Sequence, residues 1–202
     1  MNEDNNKVSI EHDDVTCIDI VEKLSDNYVD GTSIYILGDF DDSISRNITP
    51  NLVKLIQTQK ALKNGKIEFY INSSGGFCYE LYELLSLISL AKSYGIKICT
   101  FNMGKAFSCG SILATVGDER KMFKYATQLI HLGTISASNK TFKQLERTTK
   151  RQKEHFLNVV NLYKEHSNLS EAKIKELLLD DCCYLNAKEC LKYGLVDEIC
   201  NC

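Results

Sequence analysis

Long apolar runs are missing from this 202-residue chain. Nothing approaches the ~20 consecutive apolar residues of a spanning helix, because Glu, Lys or Gly interrupts the longest candidates; no membrane association is expected. Excess basic charge is missing too. Lys and Arg number 24 against 27 Asp and Glu, a formal net charge of -3, so the electrostatic footprint of a nucleic-acid ligand is absent. The longest basic cluster, Lys150-Arg151-Gln152-Lys153, lies in a charge-mixed helical stretch and reads as a solvated face. Residues Met1 to Asp14 are acidic and polar, without the basic start and apolar core of a secretory signal, and a cytoplasmic location is expected. Proline is reduced to Pro50, and no internal repeat or low-complexity stretch occurs. Cysteine is not scarce, but paired spacing is: the nine cysteines are odd in number and scattered through apolar segments, which argues against a disulfide framework. Cys182, Cys183, Cys190, Cys200 and Cys202 lack CxxC spacing and fall on different elements, so no metal site is read there. They are taken as small buried hydrophobes in a reducing compartment.

What is present is a core. A hydrophobic content of 44% suits one compact domain. Residues 1–32 read as an acidic tail and lead-in, with Cys17 to Leu24 as a short helix or strand, and 33–202 as the organised domain. From Ser33 the pattern alternates: a strand at Ser33–Leu37, a helix from about Pro50 to Leu62, a strand at Ile67–Ile71, and a helix from about Tyr79 to Tyr94. A strand at Ile96–Met103, a helix at about Cys109–Val116 and short strands near Met122–Tyr125 and Gln128–His131 continue the α/β alternation. Thr49 reads as the cap of a helix whose first turn holds Pro50. A long charged helix spans about Thr141 to His166, with an apolar stripe of Phe156, Val159, Val160 and Tyr163 in its second half. Its first half is too polar for a core helix, and the segment is read as projecting from the body to pack against another subunit, with a merely solvated helix as the alternative. Ser170 caps a helix through Leu178, Asn186 to Glu189 resembles a capping box, and Gly194 precedes a last strand at Leu195–Ile199.

Three segments carry chemistry. Asn72-Ser73-Ser74-Gly75-Gly76 follows a strand and precedes a helix, where glycines free the backbone to aim amide groups at a ligand. Gly104-Lys105-Ala106-Phe107-Ser108-Cys109-Gly110-Ser111 sets a serine between two apolar runs, and Gln128-Leu129-Ile130-His131 ends another with an imidazole. A serine hydroxyl needs such an imidazole within reach, and a sharp turn to expose it, before it can act as a nucleophile. His12, His155 and His166, in a polar tail or on the charged helix, read as solvated imidazoles.

With these blocks in order, the chain resembles the proteolytic subunit of the Clp protease and the wider Clp-fold serine peptidases, phage-encoded members included. The resemblance covers about Ser33 to Cys200. It rests on Tyr35-Ile36-Leu37-Gly38 with Asp41-Asp42, on Tyr70 to Gly76, on Gly104 to Gly110, on Ile130-His131, and on Tyr184-Leu185-Asn186-Ala187 with Tyr193-Gly194-Leu195-Val196-Asp197. It implies a Clp/crotonase-like α/β fold of repeated strand-helix units with a projecting long helix. It also implies Ser108 as nucleophile, His131 as general base, and the backbone N–H groups of Gly76 and Cys109 as the oxyanion hole. The family's aspartate lies five residues before the alanine matched by Ala187, where this chain has Cys182. Asp181 is the acid assigned to His131, with Asp180, a backbone carbonyl or water as the alternatives, since one residue of slip turns a side chain to the opposite face of an extended segment. Ser74 replaces a frequent proline, Leu132-Gly133-Thr134 replaces a Gln-Pro, and Glu68 stands where an aromatic residue often contributes to the unfoldase pocket.

The resemblance thus implies a serine endopeptidase acting on unfolded proteins or short peptides, without a cofactor, in a homo-oligomeric ring or double ring that an AAA+ unfoldase can serve. Two alternatives differ in class: a catalytically silent Clp-fold subunit with an assembly or gating role, and a crotonase-like acyl-CoA enzyme that would not need Ser108 and His131 where they stand.

Overall fold

The computed structural model describes residues 27–133, 139, 141–180 and 183–200; Cys17 to Leu24 and His12 lie outside them. The sheet begins ahead of Ser33. β1 (Tyr28–Asp30) turns back through Gly31 onto β2 (Ser33–Ile36) as an antiparallel pair, and β2 runs parallel to β3 (Lys66–Ser73). The strict alternation of β3, with Ile67, Phe69, Ile71 and Ser73 buried, is what one core-facing side of a strand produces. β4 (Lys97–Phe107) lies parallel to β3, followed by β5 (Glu119–Phe123), β6 (Thr127–Leu129), β7 (Tyr184–Asn186) and β8 (Glu198–Cys200). Spatially the order is β1-β2-β3-β4-β5-β8, with β6 joined to β4 and β7 to β6.

Among the described residues six α-helices cover the sheet: α1 (Thr49–Gln59), α2 (Cys78–Ser93), α3 (Cys109–Thr115), α4 (Phe142–His166), α5 (Glu171–Leu179) and α6 (Ala187–Lys192). This is the α/β architecture expected. The start of α1 differs from the expectation. A π-helical turn at Ile44–Ile48 precedes Thr49, whose N–H bonds the Ile44 carbonyl five residues back. Pro50 has no N–H to carry the ordinary α register across this point, and a wider turn absorbs the break. Thr49 therefore lies inside the helical run, and its buried hydroxyl has no hydrogen-bond partner among the described residues. The run opens instead at Asp41, whose carboxylate accepts the Ser43 amide at 2.9 Å; the Ser43 hydroxyl and amide hold that carboxyl below the usual carboxylate range. Ser170 does cap α5, and the capping box of Asn186 with Glu189 opens α6.

α4 is capped by Thr141 with Gln144. Only Val159, Val160 and Tyr163 of it are buried, whereas Phe142 is 76% and Leu145 41% exposed, so its first half stands clear of the core. Among the described residues no helix is long and apolar enough to cross a membrane.

Candidate active site

A strand that serves two neighbours shapes the site. The first half of β4 pairs with β5 (Cys99 opposite Glu119 to Asn102 opposite Met122), and the second half pairs with β6 (Lys105 opposite Thr127 to Phe107 opposite Leu129). Between them the β3 register slips: Ile71 faces Asn102, but Ser73 faces Ala106. The extra β4 residues form a bulge fastened by Asn72, whose side-chain oxygen accepts the Lys105 amide at 3.1 Å. A bulge bends its strand and re-aims the residues beyond it. Here the end of β4 meets the turn after β3 and the end of β6 at one rim of the sheet, at the carboxyl ends of parallel strands, where ligands of open α/β sheets bind.

Ser108 occupies that rim between β4 and α3. Its φ of 53° and ψ of -116° lie in a region that an L-residue enters at a cost of roughly 1–3 kcal/mol. The surroundings hold it there: its amide donates to the Leu129 carbonyl at 3.0 Å, and its carbonyl accepts from Ser111 and Ile112. The Ser73–Gly76 turn presses against it. Gly75 has φ +97°, and a Cβ there would lie 2.7 Å from Ser108 Cβ and 2.8 Å from the Phe107 oxygen, so only glycine permits this approach. Gly76, at φ +148°, passes equally close to the Phe40 backbone. The bridge between them uses the Phe40 and Phe77 amides and leaves that of Gly76 outside it. Cys109 is the first residue of α3, where amides have no acceptor within the helix. Lys105 Nζ donates to Ser74 Oγ at 2.8 Å and adds a positive charge beside the turn.

His131 is half-buried, two residues beyond the Leu129 that pairs with Phe107. The residues on either side of it are tied to the C-terminal part of the chain: Ile130 N–H donates to the Cys183 carbonyl at 3.3 Å and Leu132 N–H to the Leu178 carbonyl at 3.1 Å. Asp181 and Cys182, between these anchors in sequence, lie outside the described residues. Asp180 is exposed at the end of α5.

The family model for Clp protease matches residues 12–202. The chain belongs to the Clp protease family. Among curated relatives, the ATP-dependent Clp protease proteolytic subunit of Deinococcus radiodurans is 29% identical over 136 residues, 66% of this chain and 64% of that protein. Subunit 2 of Treponema denticola is 25% identical over 180 residues, covering 88% and 86% of the two chains, and the subunit of Lactococcus lactis subsp. lactis is 29% identical over 177 residues, covering 82% and 81%.

Behind Ser108, this Clp-family chain carries a buried polar network that periodicity did not announce. Ser111 Oγ and the Tyr163 hydroxyl are 2.7 Å apart, and Gln128 Nε2 donates to Ser111 Oγ and Thr115 Oγ1 at 2.9 and 3.0 Å. It locks α3 to α4 and β6. Desolvation pushes the Tyr163 phenol well above its ordinary range, so it stays a neutral partner. His155 and His166 are not solvated as expected. His155 Nδ1 meets the Tyr82 hydroxyl at 2.6 Å, and half-burial near Lys92 lowers the pKa of His166. Among the described residues no group of three or more His, Cys, Asp or Glu side chains is placed to hold a metal ion, and Cys99, Cys109, Cys183 and Cys190 are buried free thiols.

Proposed function

We propose that this chain is a serine endopeptidase in which Ser108 attacks the peptide carbonyl. His131 takes the Ser108 proton and returns it to the leaving amine, while the amides of Gly76 and Cys109 receive the oxyanion. The observation that carries this reading is the Ser108 backbone: a non-glycine residue held at positive φ on a strand-to-helix turn, with Gly75 packed against it. Strain of this kind persists where the surroundings over-determine it, and it exposes a nucleophile's oxygen. Oxyanion donors are each worth ~10²–10³ in rate. Asp181 orients His131 and stabilises the imidazolium. Support comes from the two hydrogen bonds that tie Ile130 and Leu132, on either side of His131, to the carbonyls of Cys183 and Leu178, the sequence positions that flank Asp181.

The substrates are unfolded proteins or short peptides in the cytoplasm, no cofactor is needed, and copies of the chain assemble through α4 into a ring or double ring. The support for assembly is the exposed apolar start of α4. An AAA+ unfoldase is the proposed partner, by likeness to relatives named as subunits of an ATP-dependent protease. The row of stacked rings Tyr28, Tyr35, Tyr70 and Phe101 offers it an aromatic face, although Glu68, paired with Lys66 at 2.7 Å, adds a charge beside it.

A fluorophosphonate probe followed by peptide mass mapping tests the assignment. The adduct is expected on Ser108, and Ser108→Ala is expected to abolish both the adduct and the cleavage of fluorogenic peptides. Labelling at another residue, or equal cleavage by the variant, overturns it.

A further inference from the structure

A second cluster of nucleophilic chemistry lies apart from Ser108 and His131. Cys78 opens α2, its sulfur 3.6 Å from His155 Nε2, and the Tyr82 hydroxyl holds the other ring nitrogen. A thiol within reach of an imidazole that a third group orients is the arrangement that activates cysteine. The N-terminus of a 16-residue helix favours the thiolate further. The cluster faces a cavity of about 530 Å³ between α2 and α4, lined also by Phe77, Tyr79, Arg151 and Asn158. Behind Cys78 sits the buried thiol of Cys109, its sulfur 3.3 Å from the carbonyl of Gly76, two residues before Cys78, and near enough to bear on the Cys78 thiol.

We propose that Cys78 is a modification site whose thiolate, activated by His155, reduces a hydroperoxide, and that Cys109 resolves the product as a Cys78–Cys109 disulfide. Cys78 gives its proton to His155 Nε2, and the thiolate attacks the terminal peroxide oxygen. An S–O bond forms, the O–O bond breaks, and the departing alkoxide or hydroxide recovers that proton from His155. Sulfur has lost two electrons to the peroxide and stands as a sulfenic acid. The Cys109 sulfur then attacks it: the S–S bond forms, the S–O bond breaks, and the hydroxyl leaves as water with the Cys109 proton. The net change is two thiols and one hydroperoxide to one disulfide, one alcohol and one water.

Contact with Cys109 and the His155 imidazole brings the Cys78 thiol down to about 5, whereas the contact with Cys78 and burial push the Cys109 thiol up. One thiol is thus reactive and the other reserved. The titratable and charged groups around Cys78 are His155, Glu154 and Arg151 from α4, Tyr79, Glu80 and Tyr82 from its own helix, and Cys109 from α3. On the serine-peptidase reading, the disulfide would tie together the two segments that supply the oxyanion amides and lower peptide cleavage.

The test uses the full chain. Hydrogen peroxide is added at pH 7, free thiols are capped, and peptides are mapped by mass. A reducible link between the Cys78 and Cys109 peptides is expected; a Cys78 that stays reduced, or one driven to sulfinic acid while Cys109 stays free, overturns the proposal. Iodoacetamide labelling of the unoxidised protein gives the rate profile. Between pH 6 and 8 an ordinary thiol of pKa about 8.5 gains about 75-fold in thiolate, whereas Cys78 is expected to change less than about twofold. A rise between pH 6 and 8 in wild type that approaches the ordinary thiol's about 75-fold overturns the activation, as does an unchanged flat profile in His155→Gln. The mass and labelling results do not depend on peptidase activity, so a protein that forms the peroxide link but cleaves no peptide even when fully reduced refutes only the serine-peptidase reading.

Discussion

If Ser108 is held in a conformation disfavoured for L-residues, replacing it by glycine should stabilise the fold while destroying the nucleophile. At φ 53° and ψ -116° the side chain costs about 1–3 kcal/mol, which glycine does not incur. Against this stands the greater freedom of glycine in the unfolded chain, about 0.4–1 kcal/mol. The difference leaves a net gain of roughly 0.5–2 kcal/mol. For a chain of this length each kcal/mol moves Tm by about 2–4 °C, so Ser108→Gly should melt about 1–8 °C higher than wild type. Ser108→Ala is the control, because it removes the same hydroxyl but keeps Cβ and therefore the strain; its Tm should stay near wild type. Both variants should be inactive. The assay is thermal unfolding followed by circular dichroism, at one protein concentration for all three proteins because assembly also shifts Tm. If glycine melts no higher than alanine, the strain at Ser108 is absent and the main support for its role as nucleophile is lost.

Three further outcomes concern the proposed acid, the buried network behind Ser108 and the exposed start of α4. Asp181→Asn should lower peptide turnover by ~10⁴, the cost of stabilising the wrong imidazole tautomer in a triad, while Asp180→Asn does little; near-normal turnover of Asp181→Asn in steady-state assays would show a Ser-His dyad. Tyr163→Phe removes a hydroxyl from the Ser111–Gln128 network, which should cost about 1–3 kcal/mol, read as a fall in urea midpoint with unchanged slope. Leu145→Arg, on the exposed start of α4, should shift sedimentation toward smaller species without lowering monomer stability; an unchanged distribution would remove α4 from the assembly contact.

Features with local causes are legible along the chain. Alternation fixed β3 as a half-buried strand, the charged stretch with a late apolar stripe became α4, and the Asn186 and Ser170 caps stand where side-chain oxygens find first-turn amides. The order of the glycine turn, the serine turn and the strand ending in histidine was legible as well, because each block is a few residues long. Tertiary structure decided what depends on distant partners. β1 joins the sheet only because β2 offers it an edge, and the Pro50 helix starts at Asp41 because a wider turn absorbs the missing N–H. The slip that bends β4 depends on Asn72, 33 positions before the Lys105 amide it holds. His155 shows the limit most plainly: on a charged helix it reads as solvated, yet folding brings it to Tyr82 and Cys78, 73 and 77 positions away. Period and capping record the environment of a residue along its own element; which residue of another element it meets is set by how the layers pack, and no local pattern carries that information.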